Sequence, residues 1–118
     1  MSSSPDQQTW YMLLRRRVSS APEAHAKWDD VIIVRKGAGA LVFGDSLTGA
    51  HVEAPGELRG GQLVHPHQLL LHPGDVVRVP AAVPHVFVAD SAQPLEYLMI
   101  KVRQQRLPIR WFSCPCAH

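Results

Sequence analysis

The chain has 118 residues, of which 46% are hydrophobic and 19% are charged, with two cysteines and a formal net charge of +2. This length supports one hydrophobic core and therefore one domain. The small net charge, with no basic cluster interleaved with aromatic residues, argues against nucleic-acid binding. No apolar segment approaches the roughly 18 residues of a membrane-spanning helix. Composition therefore predicts an ordinary globular domain that binds neither nucleic acid nor membrane.

The chain divides into a polar N-terminal tail, residues 1–9, a domain over residues 10–103 and a C-terminal extension, residues 104–118. The tail lacks the apolar segment of a signal peptide, which predicts a cytoplasmic protein. Within the domain, short apolar runs alternate with turn residues, a pattern typical of an all-β sandwich or barrel. Strands are predicted over residues 10–18, 24–27, 31–35, 40–43, 51–53, 62–64, 68–71, 76–79, 85–88 and 95–102.

The second predicted strand carries the first candidate metal ligands. Glu23 and His25 are two residues apart, so a strand presents both side chains on one face. Asp30 follows just before the next predicted strand, and Gly37 lies beyond the end of that strand.

The most informative segment runs from Gly74 to His85. Its first half is rich in valine, which favours a buried, pleated strand. Pro80 and Pro84 then fix φ and withhold two backbone donors, so the strand pairing must break between them. His85 is thereby delivered at a fixed position at the start of the next strand.

The segment from Gly74 to His85 resembles the second sequence motif of the cupin superfamily. That motif has a glycine, five residues, a proline, one residue, a small residue, two residues and a histidine. Gly74, Pro80, Ala82 and His85 match it, with Ala82 where the family often has glycine. Ala89 stands where the family often has asparagine.

The upstream residues resemble a degenerate form of the first cupin motif, which has two histidines one residue apart, then a glutamate and a glycine. Glu23, His25, Asp30 and Gly37 match its spacing, with Glu23 replacing the first histidine and Asp30 the glutamate. An alternative register pairs His25 with Lys27, but an ammonium group cannot ligate a cation, and the gap to Asp30 becomes too short.

The resemblance covers residues 10–103 and implies a cupin-type double-stranded β-helix, the jelly-roll barrel. Such a barrel leaves few exposed sheet edges and encloses a lumen that can hold a small ligand. Many small cupins pair through edge strands, so the resemblance also implies a homodimer that uses the first strand, residues 10–18.

The resemblance further implies a divalent transition metal, with Zn, Fe, Mn or Ni as candidates, because the motif histidine of cupins is usually a metal ligand. The predicted ligands are Glu23, His25, Asp30 and His85, two imidazoles and two carboxylates that suit such an ion. Three alternatives stay open. Asp30, one methylene shorter than glutamate, could instead hold His25 in place. Glu23 could be a solvent-facing strand residue, and without a metal Glu23, His25 and His85 would form a polar cluster in the barrel mouth.

Four further residues are expected to line the ligand pocket. Phe87 shares the strand parity of His85, and Tyr97 and Met99 share one parity on the last strand. His51 lies on a predicted strand, where a surface position is the competing interpretation. The predicted lining is His51, Phe87, Tyr97 and Met99, which is small and mainly apolar and suits a small organic molecule.

The remaining histidines and the cysteines are weaker candidates. His65 and His67 flank a proline in a predicted loop and are expected to be solvated. A disulfide within Cys114-Pro115-Cys116 would be strained, which predicts an incidental, oxidisable terminus.

Three functions follow from the sequence. The first is a metal-dependent enzyme of the dioxygenase, isomerase or decarboxylase type that acts on a small oxygenated compound. The second is a non-catalytic module that binds or senses a small molecule, and the third is a metal-free degenerate cupin. One barrel hosts many reactions, so the fold does not choose among them.

Overall fold

The computed structural model describes residues 9–104, and these residues form twelve β-strands and no helix. The strands are β1 (Thr9–Arg16), β2 (Glu23–His25), β3 (Trp28–Lys36), β4 (Gly39–Phe43), β5 (Ser46–Thr48), β6 (His51–Ala54), β7 (Glu57–Arg59), β8 (Gln62–Val64), β9 (His67–Leu71), β10 (Val76–Val79), β11 (His85–Ala89) and β12 (Leu95–Arg103). The predicted all-β class is confirmed.

The strands form two main sheets and a small ribbon. The four-stranded sheet has the order β1-β12-β3-β10, and the six-stranded sheet has the order β6-β7-β2-β11-β4-β9. β5 and β8 form the ribbon. The strand pairs are antiparallel throughout, and neighbours in each sheet are mostly distant in sequence.

The hydrophobic core lies between the two main sheets. It draws Ile32, Tyr97 and Met99 from the four-stranded sheet and Leu41 and Phe87 from the six-stranded sheet. The alternation expected of a strand with one buried face is clearest in β12, where every second residue from 95 to 101 is buried.

Two short strands were not predicted from the sequence, β5 and β7. β7 has only three residues, Glu57–Arg59, and lacks the β-branched and aromatic residues that favour strands. It becomes a strand because β2 and β6 pair with it on both sides. β1 is also shorter than predicted and ends at Arg16.

Gly37, the predicted motif glycine, sits in a tight connection between β3 and β4. Its φ is +85°, and a Cβ atom there would lie 1.9 Å from the carbonyl oxygen of Pro94. Only glycine fits this position without moving the backbone.

Several predictions concern residues outside the described range. They include the polar residues 1–8 and the Cys114-Pro115-Cys116 terminus. Within residues 9–104, the structure has no helix long and apolar enough to cross a membrane.

Candidate metal centre

Three strands bring the predicted ligands together between the two sheets. β2 supplies Glu23 and His25, and β11 supplies His85, which pairs directly with Glu23 in the strand register. Asp30 reaches the same place from β3 in the opposite sheet. We refer to Glu23, His25, Asp30 and His85 as the four-residue cluster.

The ligand atoms of the cluster face one another at short range. Glu23 Oε1 lies 3.5 Å from His25 Nε2 and 3.8 Å from His85 Nε2. Asp30 Oδ2 lies 3.9 Å from His25 Nε2 and 4.0 Å from His85 Nε2. Two atoms that each bind one ion at about 2.1 Å can lie at most about 4.2 Å apart. All four distances fall below this ceiling, and Glu23, His25 and His85 form a group that could hold a metal ion.

The orientation of His85 is fixed by the turn that precedes it. Its Nδ1 lies 3.0 Å from the carbonyl oxygen of Val83. Because a carbonyl oxygen can only accept, Nδ1 carries the hydrogen and donates it. In the neutral imidazole, Nε2 therefore presents a lone pair to the cluster, as a metal-ligating histidine requires.

His25 is oriented in the same way by a carboxylate. Its Nδ1 lies 2.5 Å from Glu57 Oε1, and Glu57 stands directly opposite His25 on β7. A carboxylate that holds one nitrogen of an imidazole while the other faces a metal is a common arrangement in metal sites. His25 Nε2 thus faces Glu23 and Asp30.

Two buried atoms of the cluster have no hydrogen-bond partner among the described residues, His85 Nε2 and Asp30 Oδ2. An unsatisfied buried polar atom costs about 1–3 kcal/mol, so a native site is expected to satisfy both. A divalent cation would accept electron pairs from both atoms, and imidazole nitrogen and carboxylate oxygen are ordinary ligands of transition metals. The donor set therefore fits a metal ion.

Lys101 brings a buried positive charge next to the cluster. Its Nζ donates to Asp30 Oδ1 at 2.7 Å, and both side chains are largely buried. Its ammonium also lies 5.9 Å from the centroid of the Trp10 ring, in a cation–π contact. Lys101 therefore occupies one oxygen of Asp30 and leaves only Oδ2 for the cluster.

Burial and neighbouring charges set the protonation of the cluster. Burial alone would raise the pKa of Glu23, but contact with His25 and the nearby cations outweigh burial, so the pKa of Glu23 is lowered. Burial alone would lower the pKa of His25, but its contacts with Glu23 and Glu57 outweigh burial and raise it. Burial prevails at His85 and lowers its pKa, which keeps that imidazole neutral near pH 7.

The turn before His85 is tied to both sheets. The backbone N–H of Ala81 donates to Asp29 Oδ1 at 2.6 Å, and the N–H of Ala82 donates to the carbonyl oxygen of His25 at 2.8 Å. Ala82 has a φ of +71°, in the left-handed region that favours glycine. This conformation explains why the resembling motif often has glycine at the position.

A mostly apolar cavity of about 360 Å³ lies between the two sheets, and its lining does not include any of the four cluster residues. Its walls come from β4, β9, β10 and the turn that precedes β11, namely Leu41, Phe43, Leu69, Val77, Arg78, Val79, Pro80 and Val83. Phe43 pairs with His85 and Val79 pairs with Asp30, so each shares a sheet face with a cluster residue.

The four residues predicted to line a pocket do not line this cavity. Phe87, Tyr97 and Met99 belong to the packed core, and the rings of Phe87 and Tyr97 stack with centroids 4.8 Å apart. His51 is not brought to the cluster, because its side chain is 68% exposed on β6, the edge strand of the six-stranded sheet. The cavity is lined instead by the residues named above, which the sequence analysis missed.

Sequence reasoning also missed Lys101 and Glu57. Lys101 has the same strand parity as Tyr97 and Met99, so alternation along β12 was the available signal for its inward position. Glu57 lies on a strand that the sequence did not predict, and its pairing with His25 depends on the tertiary fold.

Comparison with known proteins gives structural matches only. No family model and no curated protein matches the chain. A cupin protein from Bacteroides fragilis is 15% identical with a TM-score of 0.56, and the match covers 92% of this chain and 86% of that protein.

Two further matches are larger proteins with different reactions. A sugar phosphate isomerase of the cupin superfamily from Silicibacter pomeroyi is 25% identical with a TM-score of 0.53, over 83% of this chain and 52% of that one. Hydroquinone 1,2-dioxygenase from Sphingomonas, with 4-hydroxybenzoate bound, is 14% identical with a TM-score of 0.57, over 84% and 61%. This chain therefore spans about half the isomerase. The matches confirm the predicted jelly-roll barrel. Because the matched proteins catalyse different reactions, the shared fold does not define a reaction for this chain.

Proposed function

The chain has the cupin fold, and on that premise we propose that it binds a divalent transition metal and a small organic ligand. The observation that carries the proposal is the buried Nε2 of His85, which has no partner among the described residues and faces Glu23 and Asp30. Burial lowers the pKa of His85 and the hydrogen bond to Val83 fixes its tautomer, so the neutral imidazole directs the Nε2 lone pair at two carboxylates. A cation would bind the Nε2 lone pair of His85 and the carboxylates of Glu23 and Asp30 together.

Glu23, His25 and His85 are the proposed ligands of the ion, and Zn, Fe, Mn and Ni are the candidates because each accepts nitrogen and carboxylate donors. Asp30 Oδ2 is a fourth donor whose other oxygen is held by Lys101. When bound, such an ion acts as a Lewis acid toward a ligand oxygen.

The residues around the ion have separate proposed roles. Glu57 fixes the tautomer of His25, and Val83 fixes that of His85. Lys101 and Arg59 offset two of the three carboxylate charges at the site, which are those of Asp30, Glu23 and Glu57, so that a bound divalent ion leaves a net charge of +1. That charge favours a ligand with an anionic oxygen, such as a carboxylate, phenolate or enolate.

The proposed ligand site is the apolar cavity between the two sheets. A volume of about 360 Å³ suits a small organic molecule. Its walls are aliphatic apart from Phe43, Pro80 and the Arg78 side chain, so the body of the ligand is expected to be apolar. The dioxygenase that shares this fold carries 4-hydroxybenzoate, an apolar ring with oxygen substituents.

The proposed reaction class, if the site is catalytic, is that of a metal-dependent dioxygenase, isomerase or decarboxylase. The isomerase and dioxygenase among the structural matches show that this barrel supports such reactions in other proteins. A non-catalytic small-molecule sensor is the alternative, and turnover of a panel of phenols and carboxylic acids separates the two.

Two adjacent leucines on β9 provide a matched test of the ligand site. Leu69 lines the cavity, whereas Leu70 points to the other side of the sheet and is 58% exposed. With Mn²⁺ present, aromatic carboxylates and phenols are screened by the shift in melting temperature. Leu69→Trp is expected to abolish the shift and Leu70→Trp to preserve it, with metal binding intact in both. Equal shifts in the two variants would contradict the proposed ligand site.

A further inference from the structure

A single row of side chains crosses the six-stranded sheet from the cluster to the exposed edge of the sheet. His85 pairs with Glu23, Glu23 pairs with Arg59, and Arg59 pairs with His51 in the strand register. The exposed fraction of the side chain rises along this row, from 2% at His85 to 17% at Glu23, 49% at Arg59 and 68% at His51. Solvent therefore reaches the cluster from the side of β7, past Arg59. We refer to these four residues as the polar row.

The guanidinium of Arg59 lies between two carboxylates without a hydrogen bond to either. Its Nη1 lies 3.6 Å from Glu23 Oε2, and its Nε lies 3.7 Å from Glu53 Oε2. Both distances exceed the roughly 3.2 Å upper limit of an N–H···O hydrogen bond. Charge alone therefore holds Arg59 in place, and its N–H groups can donate to a further acceptor. The other oxygen of Glu23, Oε1, faces the cluster.

The other polar groups around the cluster already have hydrogen-bond partners. Lys101 donates to Asp30 Oδ1 at 2.7 Å, and His25 Nδ1 lies 2.5 Å from Glu57 Oε1. Within residues 9–104, Arg59 is the cation beside the proposed metal ligands whose side chain donates no hydrogen bond to the protein. An anionic group that approaches the ion from solvent would meet these free donors.

We propose that Arg59 determines the specificity of the site by binding the carboxylate of a small monocarboxylic acid at the metal ion, an inference that rests on the proposed metal site. The planar donors of a guanidinium match the geometry of a carboxylate. Glu53 and Glu57 place two negative charges beside Arg59, which disfavours a dianion such as a phosphate monoester. Phe43, a wall of the apolar cavity, pairs with His85 on the opposite side from Glu23, so the apolar body of the acid would point away from Arg59.

Benzoate and its neutral analogue benzamide test the proposal in calorimetric titrations of the full chain loaded with Mn²⁺. The wild type is expected to bind benzoate about tenfold or more tightly than benzamide, because hydrogen bonds between two charged groups are the stronger ones. Arg59→Gln should bring this ratio close to one and leave the affinity for benzamide nearly unchanged. Arg59→Lys keeps the charge but loses the planar donors, so its ratio should lie between those two values.

The matched control is Arg35→Gln. Arg35 is 55% exposed and lies 3.6 Å from Glu96, much as Arg59 lies from Glu23, but it belongs to the four-stranded sheet. This variant should keep the benzoate-to-benzamide ratio of the wild type.

Bound Mn²⁺ is measured in every variant, so that failure of the metal site and failure of the role of Arg59 give different results. If all variants bind Mn²⁺ and Arg59→Gln keeps the wild-type ratio, Arg59 does not recognise the carboxylate, and the proposed function stands. Phenyl phosphate that binds more tightly than benzoate would overturn the choice of a monocarboxylic acid. A wild type that binds no Mn²⁺ would overturn both the proposed function and this inference.

Discussion

Asp30 and Lys101 give this site a feature that its other residues do not explain. A buried lysine beside a metal-ligand set adds a positive charge where a cation is expected to bind. Its 2.7 Å hydrogen bond to Asp30 Oδ1 offsets the charge of one carboxylate when no ion is present. In the metal-free protein, Lys101 therefore acts as an internal counterion for Asp30.

Replacement of Lys101 by methionine should have opposite effects on stability and on metal affinity. Without metal, Asp30 becomes an unpaired buried carboxylate, so the free energy of unfolding should fall by about 3 kcal/mol. With metal, the repulsion between the ammonium and the ion disappears, so affinity should rise about tenfold or more. Melting temperature measured with and without Mn²⁺ checks both effects, because the variant should gain more from the ion than the wild type.

Lys27→Met is the matched control for that comparison, because Lys27 is exposed and its side chain makes no hydrogen bond or ion pair with the cluster among the described residues. It should leave both quantities unchanged. If Lys101 only fills space, added metal should raise the melting temperature of Lys101→Met and of the wild type by the same amount. That outcome would contradict the proposed electrostatic role of Lys101.

Individual residues differ in how far the sequence could reveal them. The position of His85 follows from Pro80 and Pro84, whose fixed φ angles act locally. The common face of Glu23 and His25 follows from strand parity, which is also local. Glu57 could not be found, because its contact with His25 depends on the pairing of two strands 32 residues apart in sequence. His51 is a residue type common in binding sites, but it lies on β6, and the position of β6 at the edge of the sheet is known only from the topology.

At the scale of elements, the turn between β10 and β11 links the fold to the site. Asp29 accepts the backbone N–H of Ala81 and is paired with Arg78, and Gln104 also donates to it. Val83, in the same turn, holds the imidazole of His85. A single buried carboxylate on β3 thus anchors the segment that orients a proposed metal ligand.

Asp29→Asn should destabilise the protein in a pH-dependent manner. Burial alone would raise the pKa of Asp29, but the hydrogen bond from Ala81 and the Arg78 guanidinium outweigh it, so its pKa lies below the usual 3.8. A carboxyl whose pKa is lower in the folded state stabilises the protein above its unfolded-state pKa, and this contribution disappears as the pH falls through the folded-state pKa. The variant should lose about 1–2 kcal/mol of unfolding free energy near pH 7.

Urea denaturation across a pH series measures this effect. The difference between wild type and Asp29→Asn should shrink below about pH 4. Asp45→Asn is the control, because its side chain is 70% exposed and should give little difference at any pH. A difference for Asp29→Asn that stays constant down to the lowest pH would show that the carboxylate charge contributes nothing.

The strands themselves were predictable to the extent that their signals are local. The strands β3, β10, β11 and β12 could be predicted because each carries a short apolar run bounded by turn residues. β5 and β7 have three residues each and acquire strand geometry only from their neighbours. Short strands of this kind carry too little periodicity to be recognised before the topology is known.

At the scale of the whole molecule, the packed core and the cavity lie in different parts of the barrel. The stacked rings of Phe87 and Tyr97 belong to the packed core. The cavity lies between β4 and β9 of one sheet and β10 of the other. Strand parity predicted that Phe87 and Tyr97 face inward. It could not show that the two rings pack tightly against each other, because that packing depends on both sheets together.

The most direct test of the central claim is elemental analysis of the full chain purified without added metal or chelator, wild type beside His85→Ala and His72→Ala. His72 is the control because its side chain is 70% exposed, away from the cluster, and paired with Asp75. We expect near-stoichiometric transition metal in the wild type and in His72→Ala, and its loss in His85→Ala. Metal absent from the wild type even after incubation with divalent ions, or retained in His85→Ala, would contradict the proposed site.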